Sequence, residues 1–479
     1  MRAPASGTEL AFLPITALAA LLRAKKLSPL ELVRVYLERV ERLNPRVNAY
    51  LTVLGDAAAA EARQAESEIV RGKWRGPLHG IPIALKDNIW TRGVRTTAGS
   101  KILADFVPPE DATIVARLRA AGAILLGKTH LHEFAYGVTS NNVHYGPAHN
   151  PYDLERIPGG SSGGSAIAVA AGLCAAAVGT DTGGSIRIPA ALCGVVGFKP
   201  AFGVVPVDGI VPLCVSLDHV GPLARTVADA AVLYEAMRAR GRKTKHGGPA
   251  HAGLPLRRRG GRATARGLRV GWPRDYFFDR IAPEVLAAIR AARRVWEQRG
   301  VRFVEVDLRQ LDAANRATLP IALAEAYQYH RAAGYFPARA ADYSEDVRAR
   351  LEKGAGITAA DYVDARELCR RSTEEFRQCG ERVDALLAPT VPIAAPRIGQ
   401  ERVDTAGAEE DVRGALLRLC RPANLWGAPA ISIPCGATRE GLPIGAQLIG
   451  FEGREAELLG LAEMFEDATE WHTRRPEVG

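Results

Sequence analysis

Cysteine, methionine and aromatic side chains are scarce in this chain: seven, three and 6% of 479 residues. The cysteines are odd in number and scattered, with no Cys-x-x-Cys pair. That excludes a disulfide framework and a cysteine zinc cluster, and points to a reducing compartment. No apolar run is long enough to span a bilayer; Leu10 to Leu22 is too short and is interrupted by Pro14. Residues 1–7 lack the charged start and apolar stretch of a secretion signal. These absences predict a soluble, cytoplasmic protein without a membrane partner. Two nucleotide signatures are missing as well. There is no G-x-x-x-x-G-K-[ST] and no G-x-G-x-x-G after a strand, which excludes the two glycine-rich phosphate loops.

Acidic residues are absent from one stretch. Residues 238–267 contain ten Lys or Arg and no Asp or Glu, more positive charge than the whole chain's net +9. A nucleic-acid patch would need such charge. The run also has no aromatic residue and several glycines, so it reads as a solvated linker inserted between elements, and no nucleic-acid partner is expected.

Glycine and serine are concentrated where chemistry is expected. Pro158 to Lys199 holds two clusters, Gly159 to Ser165 and Thr182 to Ser185. So many glycines cost backbone entropy, and they are kept where a backbone must turn or approach closely. Between the clusters, Ala166–Ala171 reads as a helix closed by Gly172, and Leu173–Thr180 as a short buried strand. A strand entering a Gly-Gly-Ser turn before a new helix gathers backbone N–H groups at one point, where an anion or oxyanion is stabilised. Gly160-Ser161-Ser162-Gly163-Gly164 also satisfies the nucleophile-elbow pattern G-x-S-x-G, but no spacing rule selects a His and an acid to serve it.

The segment resembles the signature of the amidase signature family, the Ser–cis-Ser–Lys amidohydrolases. The likeness extends through Gly80-Ile-Pro-Ile-Ala-Leu-Lys-Asp-Asn88 and Ser216-Leu-Asp-His-Val-Gly-Pro222, and recurs at Ala388-Pro-Thr390, 424–436 and 441–450. It is weakest at 238–267 and 300–380. The resemblance implies an α/β fold with a central mixed β-sheet covered on both faces by helices. It implies Ser185 as nucleophile, Ser161 as a bridging serine behind a cis peptide, and Lys86 as base. The backbone amides of Thr182, Gly183, Gly184 and Ser185 would form the oxyanion hole. It requires no metal and no cofactor. Asp181 and Arg187 read as a hydrogen-bonded pair that shapes the loop, and Ser162 and Ser165 as caps of the following helix.

These residue types suit the chemistry. A serine hydroxyl is a weak nucleophile until a base removes its proton. Free lysine, with a pKa of about 10.4, is protonated at neutral pH and cannot be that base. Burial lowers its pKa, and Lys86 follows the apolar run 81–85. His130-Leu-His132-Glu133, with His144 and His149, invites a metal reading, yet no carboxylate or cysteine set completes a ligand spacing. In the family the loop 136–145 lies near the substrate mouth, which makes Tyr136 and Asn141 candidate contacts. The apolar run 204–215 is expected to wall an acyl pocket through Ile210 and Leu213.

Elsewhere, 1–70 reads as helical, with Ser28-Pro-Leu-Glu31 as a capping box. Helix–strand alternation over 77–130, with Gly127-Lys-Thr129 as a turn, argues for a doubly wound sheet. A strand, helix and strand follow over 268–306, then mainly helix to 388, then strands at 430–434 and 443–449. The motifs spread from 80 to 450 must converge, so one domain over 1–479 is expected: a helical start, a core at 80–225, the basic insertion, and a return to the same sheet over 268–479.

Two functions share the implied triad. One is a stand-alone hydrolase of carboxamides, with carbamates (urethanes) and esters able to use the same site. The other is the A subunit of a tRNA-dependent amidotransferase, which hydrolyses glutamine and passes ammonia to a partner. Ile188 stands where those subunits usually carry glutamine, and 325–330 lacks their Arg-Tyr-Asp-Gly-type stretch. On this ground the sequence favours the stand-alone amidase, acting on a small-molecule amide or carbamate; a homodimer is compatible with that.

Overall fold

The computed structural model describes residues 7–239, 258–259, 262–263 and 267–478. The basic run 238–267, with the linker expected there, falls almost wholly outside the described residues. The seven cysteines are all buried and unpaired.

One sheet of eleven strands organises the α/β fold. In chain order the strands are β1 (Tyr50–Val53), β2 (Pro82–Lys86), β3 (Ile124–Thr129), β4 (Ala176–Asp181), β5 (Val196–Lys199), β6 (His219–Ala224), β7 (Arg269–Pro273), β8 (Arg302–Val306), β9 (Ala385–Pro389), β10 (Ala430–Ala437) and β11 (Pro443–Ile449). Their spatial order is β1-β3-β2-β4-β6-β5-β10-β11-β9-β7-β8. Every residue of β2, β3 and β4 is buried, the mark of strands covered on both faces.

The sheet is mixed rather than doubly wound. β2 pairs in parallel with β3 and β4, and β7 with β8 and β9. From β4 through β6, β5, β10 and β11 to β9 the pairs are antiparallel. The connection from β10 to β11 is short enough for a hairpin, whereas a parallel pair needs a crossover.

Two local expectations fail. The first seventy residues are not all helix: β1 lies among them and pairs with β3. Gly127-Lys-Thr129 is not a turn but the end of β3. A Cβ on Gly127 would stand 2.3 Å from the Thr52 carbonyl oxygen, so this glycine serves close strand approach. The start at Ser28 holds in part. Its hydroxyl accepts from Leu30 N (3.0 Å) and Glu31 N (3.4 Å), and Pro29 opens the helix Pro29–Val47.

The fold positions the site through neighbouring strand ends. β2 and β4 run in parallel with Ile83 opposite Ala176 and Leu85 opposite Val178. Lys86 ends β2 and Asp181 ends β4, so both chains leave the sheet at the same edge. The helix Gly163–Ala170 lies against β4, bringing Ser161 and Ser162 to that edge.

Candidate active site

Lys86 is fully buried. Its Nζ donates to Ser161 Oγ at 2.7 Å and to Thr180 Oγ1 at 2.6 Å. Among the described residues two other lysines are equally buried, and the contrast is informative. Lys128 lies 3.3 Å from the Asp87 carboxylate, and Lys199 donates to the Pro200 carbonyl. The amine of Lys86 meets only hydroxyls among the described residues. Burial lowers its pKa to about 7, against the opposing pull of Asp181 and Asp218. Such an amine exchanges a proton near neutrality. Thr180, which the sequence reading missed, also accepts from Asn88 Nδ2 at 3.3 Å. With one N–H held by Thr180, the neutral amine can turn its lone pair to Ser161.

The peptide bond between Gly160 and Ser161 is cis, where the resemblance puts one. Ser161 is buried, and the next residue's N–H donates to the Ser185 carbonyl at 3.2 Å, which holds the two serine segments side by side. Ser185 is 5% exposed and lines a cleft of about 510 Å³, open mouth included.

Ser162 and Ser165 do not cap the helix they begin. Ser162 Oγ donates to the Thr180 carbonyl and accepts from Thr180 N, at 3.1 and 3.2 Å. Ser165 Oγ donates to the Val178 carbonyl at 3.2 Å and sits 2.7 Å from Thr129 Oγ1. Both hydroxyls bind the helix to β4, so they fix the strand that delivers Thr180.

The loop after β4 is shaped by Asp181. Its Oδ1 accepts from Gly184 N at 2.8 Å and its Oδ2 from Ile186 N at 3.2 Å. Arg187 Nη2 and Nε reach the same carboxylate at 3.0 Å each, and Asn424 Nδ2 at 2.8 Å. Burial would raise this carboxyl, but the Arg187 guanidinium, with Lys199 and Asn424, holds it well below the usual range. The pair expected to shape the loop is therefore joined by Asn424.

This geometry corrects one member of the expected oxyanion hole. The amide of Gly184 is committed to Asp181, whereas those of Thr182, Gly183 and Ser185 have no acceptor among the described residues. Gly184 has a different task. It sits at φ 130°, and a Cβ there would meet Cys420 Cβ at 2.6 Å, so only glycine fits.

The candidate substrate contacts divide. Tyr136 lines the cleft and is 2% exposed. Ile210 and Leu213 line an adjoining hollow that also borders Asn88, Thr180 and Asp218, and Leu213 reaches both. Asn141 is exposed, lines neither hollow and pairs with Pro147 in a two-residue strand. It follows the turn that Thr139 closes on its N–H at 3.2 Å.

The histidines have separate partners. His130 lies beyond the end of β3 against the Gly146 carbonyl (2.9 Å), and His132 pairs with Asp346 (3.0 Å). His144 pairs with Glu133 at 3.0 Å.

Comparison with known proteins places this geometry in a class. The amidase family model matches residues 31–459. The A subunit of glutamyl-tRNA(Gln) amidotransferase from Moorella thermoacetica is 41% identical over 98% of this chain and 99% of its own. A solved amidase is 36% identical with a TM-score of 0.86, covering 95% of this chain and 99% of that one. The glutamyl-tRNA(Gln) amidotransferase A subunit of Thermotoga maritima is 32% identical with a TM-score of 0.77, covering 96% and 95%. The chain belongs to the amidase family, and it is an amidohydrolase that acts on C–N bonds. No described helix is long and apolar enough to cross a membrane.

Proposed function

We propose that Ser185 attacks a carboxamide carbonyl while Lys86 takes up its proton through Ser161. The observation that carries this reading is the buried Lys86 amine, bonded only to hydroxyls and 2.7 Å from Ser161 Oγ. Ser185 Oγ forms the bond to carbon as its proton passes to Ser161 and the Ser161 proton passes to Lys86. The oxyanion faces the free amides of Thr182, Gly183 and Ser185, donors that need no rearrangement as charge develops. Collapse breaks the C–N bond, and the amine leaves with the proton returned by the same route. Water then repeats the sequence on the acyl-enzyme and releases the acid. Carbamates and esters form the same tetrahedral oxyanion, which is the basis for urethane cleavage as an accompanying activity.

The setting of this chemistry is the second part of the proposal. The curated relatives support the A-subunit role, with glutamine as substrate and ammonia handed to a partner subunit. This reverses the order drawn from the sequence. Ile188, which weighed against the subunit, is wholly buried in an apolar cluster with Val138, Ile157 and Leu192, so its identity follows packing. Glu325 of 325–330 holds Ser216 and Tyr362. A stand-alone amidase is the second reading, favoured by the higher TM-score of the solved amidase. Purification separates the two. Capture of further amidotransferase subunits, with faster glutamine hydrolysis in the complex, is expected for the subunit. Brisk turnover of a simple aryl amide by the chain alone, with no capture, would overturn that role. If the wild type and Ser185→Ala are equally inert on every amide, the hydrolysis itself is wrong.

A further inference from the structure

We infer that the cleft above Ser185 takes an acyl group that ends in a carboxylate. The inference rests on the proposed hydrolysis and holds for either setting, because glutamine also ends in one.

The cleft is rich in donors. Arg413, Arg421 and Tyr136 line it together with Ser185, and among the described residues no Asp or Glu does. Arg413 Nε is buried with no hydrogen-bond partner among the described residues, and so is the hydroxyl of Tyr136. Neither Arg413 nor Arg421 has a carboxylate within ion-pair distance among the described residues. Arg421 stands beside the oxyanion loop: its Nε lies 3.9 Å from where a Cβ on Gly183 would be.

Neighbouring groups do not supply the missing anion. Asp411, the acid that favours both charged guanidiniums, caps its own helix through Gly414 N at 2.8 Å. Arg350, a third cation nearby, is already engaged. It donates to the Tyr136 carbonyl at 2.6 Å and to Asp346 at 2.8 Å, with its guanidinium over the Tyr136 ring at 5.4 Å. Burial, then Arg350 and Arg421, lowers Arg413 to about 9, as expected of a cation without its counter-ion. Both guanidiniums are half-buried, and a polar group drawn out of water with no partner, as Arg413 Nε is, is costly and is kept where a ligand completes it. A planar carboxylate accepts from a guanidinium in two parallel bonds, and a phenol can add a third.

The probe is glutaramate, which has a carboxamide at one end and a carboxylate at the other. It lacks an ammonium group, so the carboxylate is the one charge that the comparison varies. Its neutral isostere is glutaramide. Calorimetric binding to Ser185→Ala, which needs no turnover, should favour glutaramate over glutaramide at least tenfold. Arg413→Gln and Arg421→Gln in that background should each reduce the preference several-fold. Equal affinity for the two ligands in Ser185→Ala would overturn the inference without relying on any further variant. So would an undiminished preference in both arginine variants. Turnover of glutaramate by Ser185→Ala would instead sink the nucleophile assignment and leave the binding preference standing.

Discussion

Lys86 shows how much one side chain's surroundings decide. Among the described residues three lysines are fully buried, but only Lys86 contacts the signature serine. Its lowered pKa, about 7, arises first from burial. The sign follows directly: the base must be neutral, so activity falls as pH drops through that value and Lys86 becomes charged. We predict an acid limb in kcat/KM near pH 7, with Lys86→Met slowing hydrolysis by roughly 10²–10⁴-fold and removing the limb. Asp218 is also raised by burial, to about 6; a limb that persists near 6 in Lys86→Met would assign the titration to Asp218. At this scale the sequence was legible wherever a local motif carried the residue, as with Ser161, Ser185 and Lys86. Arg413 and Arg421 lie more than two hundred positions after Ser185 in an unremarkable stretch. Only folding puts them beside it. Thr180 reads in the sequence as the end of an ordinary strand, since its partner is 94 positions away.

Strand ends and the turns beyond them do the positioning at the scale of elements. β2 and β4 present Lys86 and Asp181 at one edge, and the Asp181 carboxylate then organises the next six residues. Glycine was the least transparent signal. Gly184 is required by its left-handed backbone and the nearness of Cys420, but Gly127 by a neighbouring strand that sequence patterning cannot see. That is why a strand end looked like a turn. The strands at 430–434 and 443–449 were readable because continuous apolar runs suit a sheet covered on both faces. The apolar segment between Val204 and Val215 yields a prediction of its own. Leu213 borders both hollows, so Leu213→Ala should raise the rate on bulky relative to small acyl amides by roughly tenfold. An unchanged ratio, in a variant that melts as a folded protein, would remove this residue from the pocket wall. The same change should cost about 2 kcal/mol of stability, because Leu213 is not wholly enclosed.

The whole molecule is what joins these parts. Strands from residue 50 to residue 449 enter one sheet, and the cleft draws on Tyr136, Ser185, Leu213 and Asn424. The sequence expected that convergence and a mixed α/β fold. The antiparallel middle of the sheet was hidden, because strand direction depends on connections between segments rather than on the segments themselves. The chain alone ranks the stand-alone amidase first, whereas the named relatives favour the A subunit.

The central claim is that three segments, carrying Lys86, Ser161 and Ser185, converge so that Ser185 becomes acylated. Rapid-quench mass spectrometry with an activated amide tests it most directly. The account predicts an acyl adduct on the peptide containing Ser185, absent in Ser185→Ala and formed more slowly below pH 7. An adduct on Ser161 or another residue, or its persistence in Ser185→Ala, would contradict it.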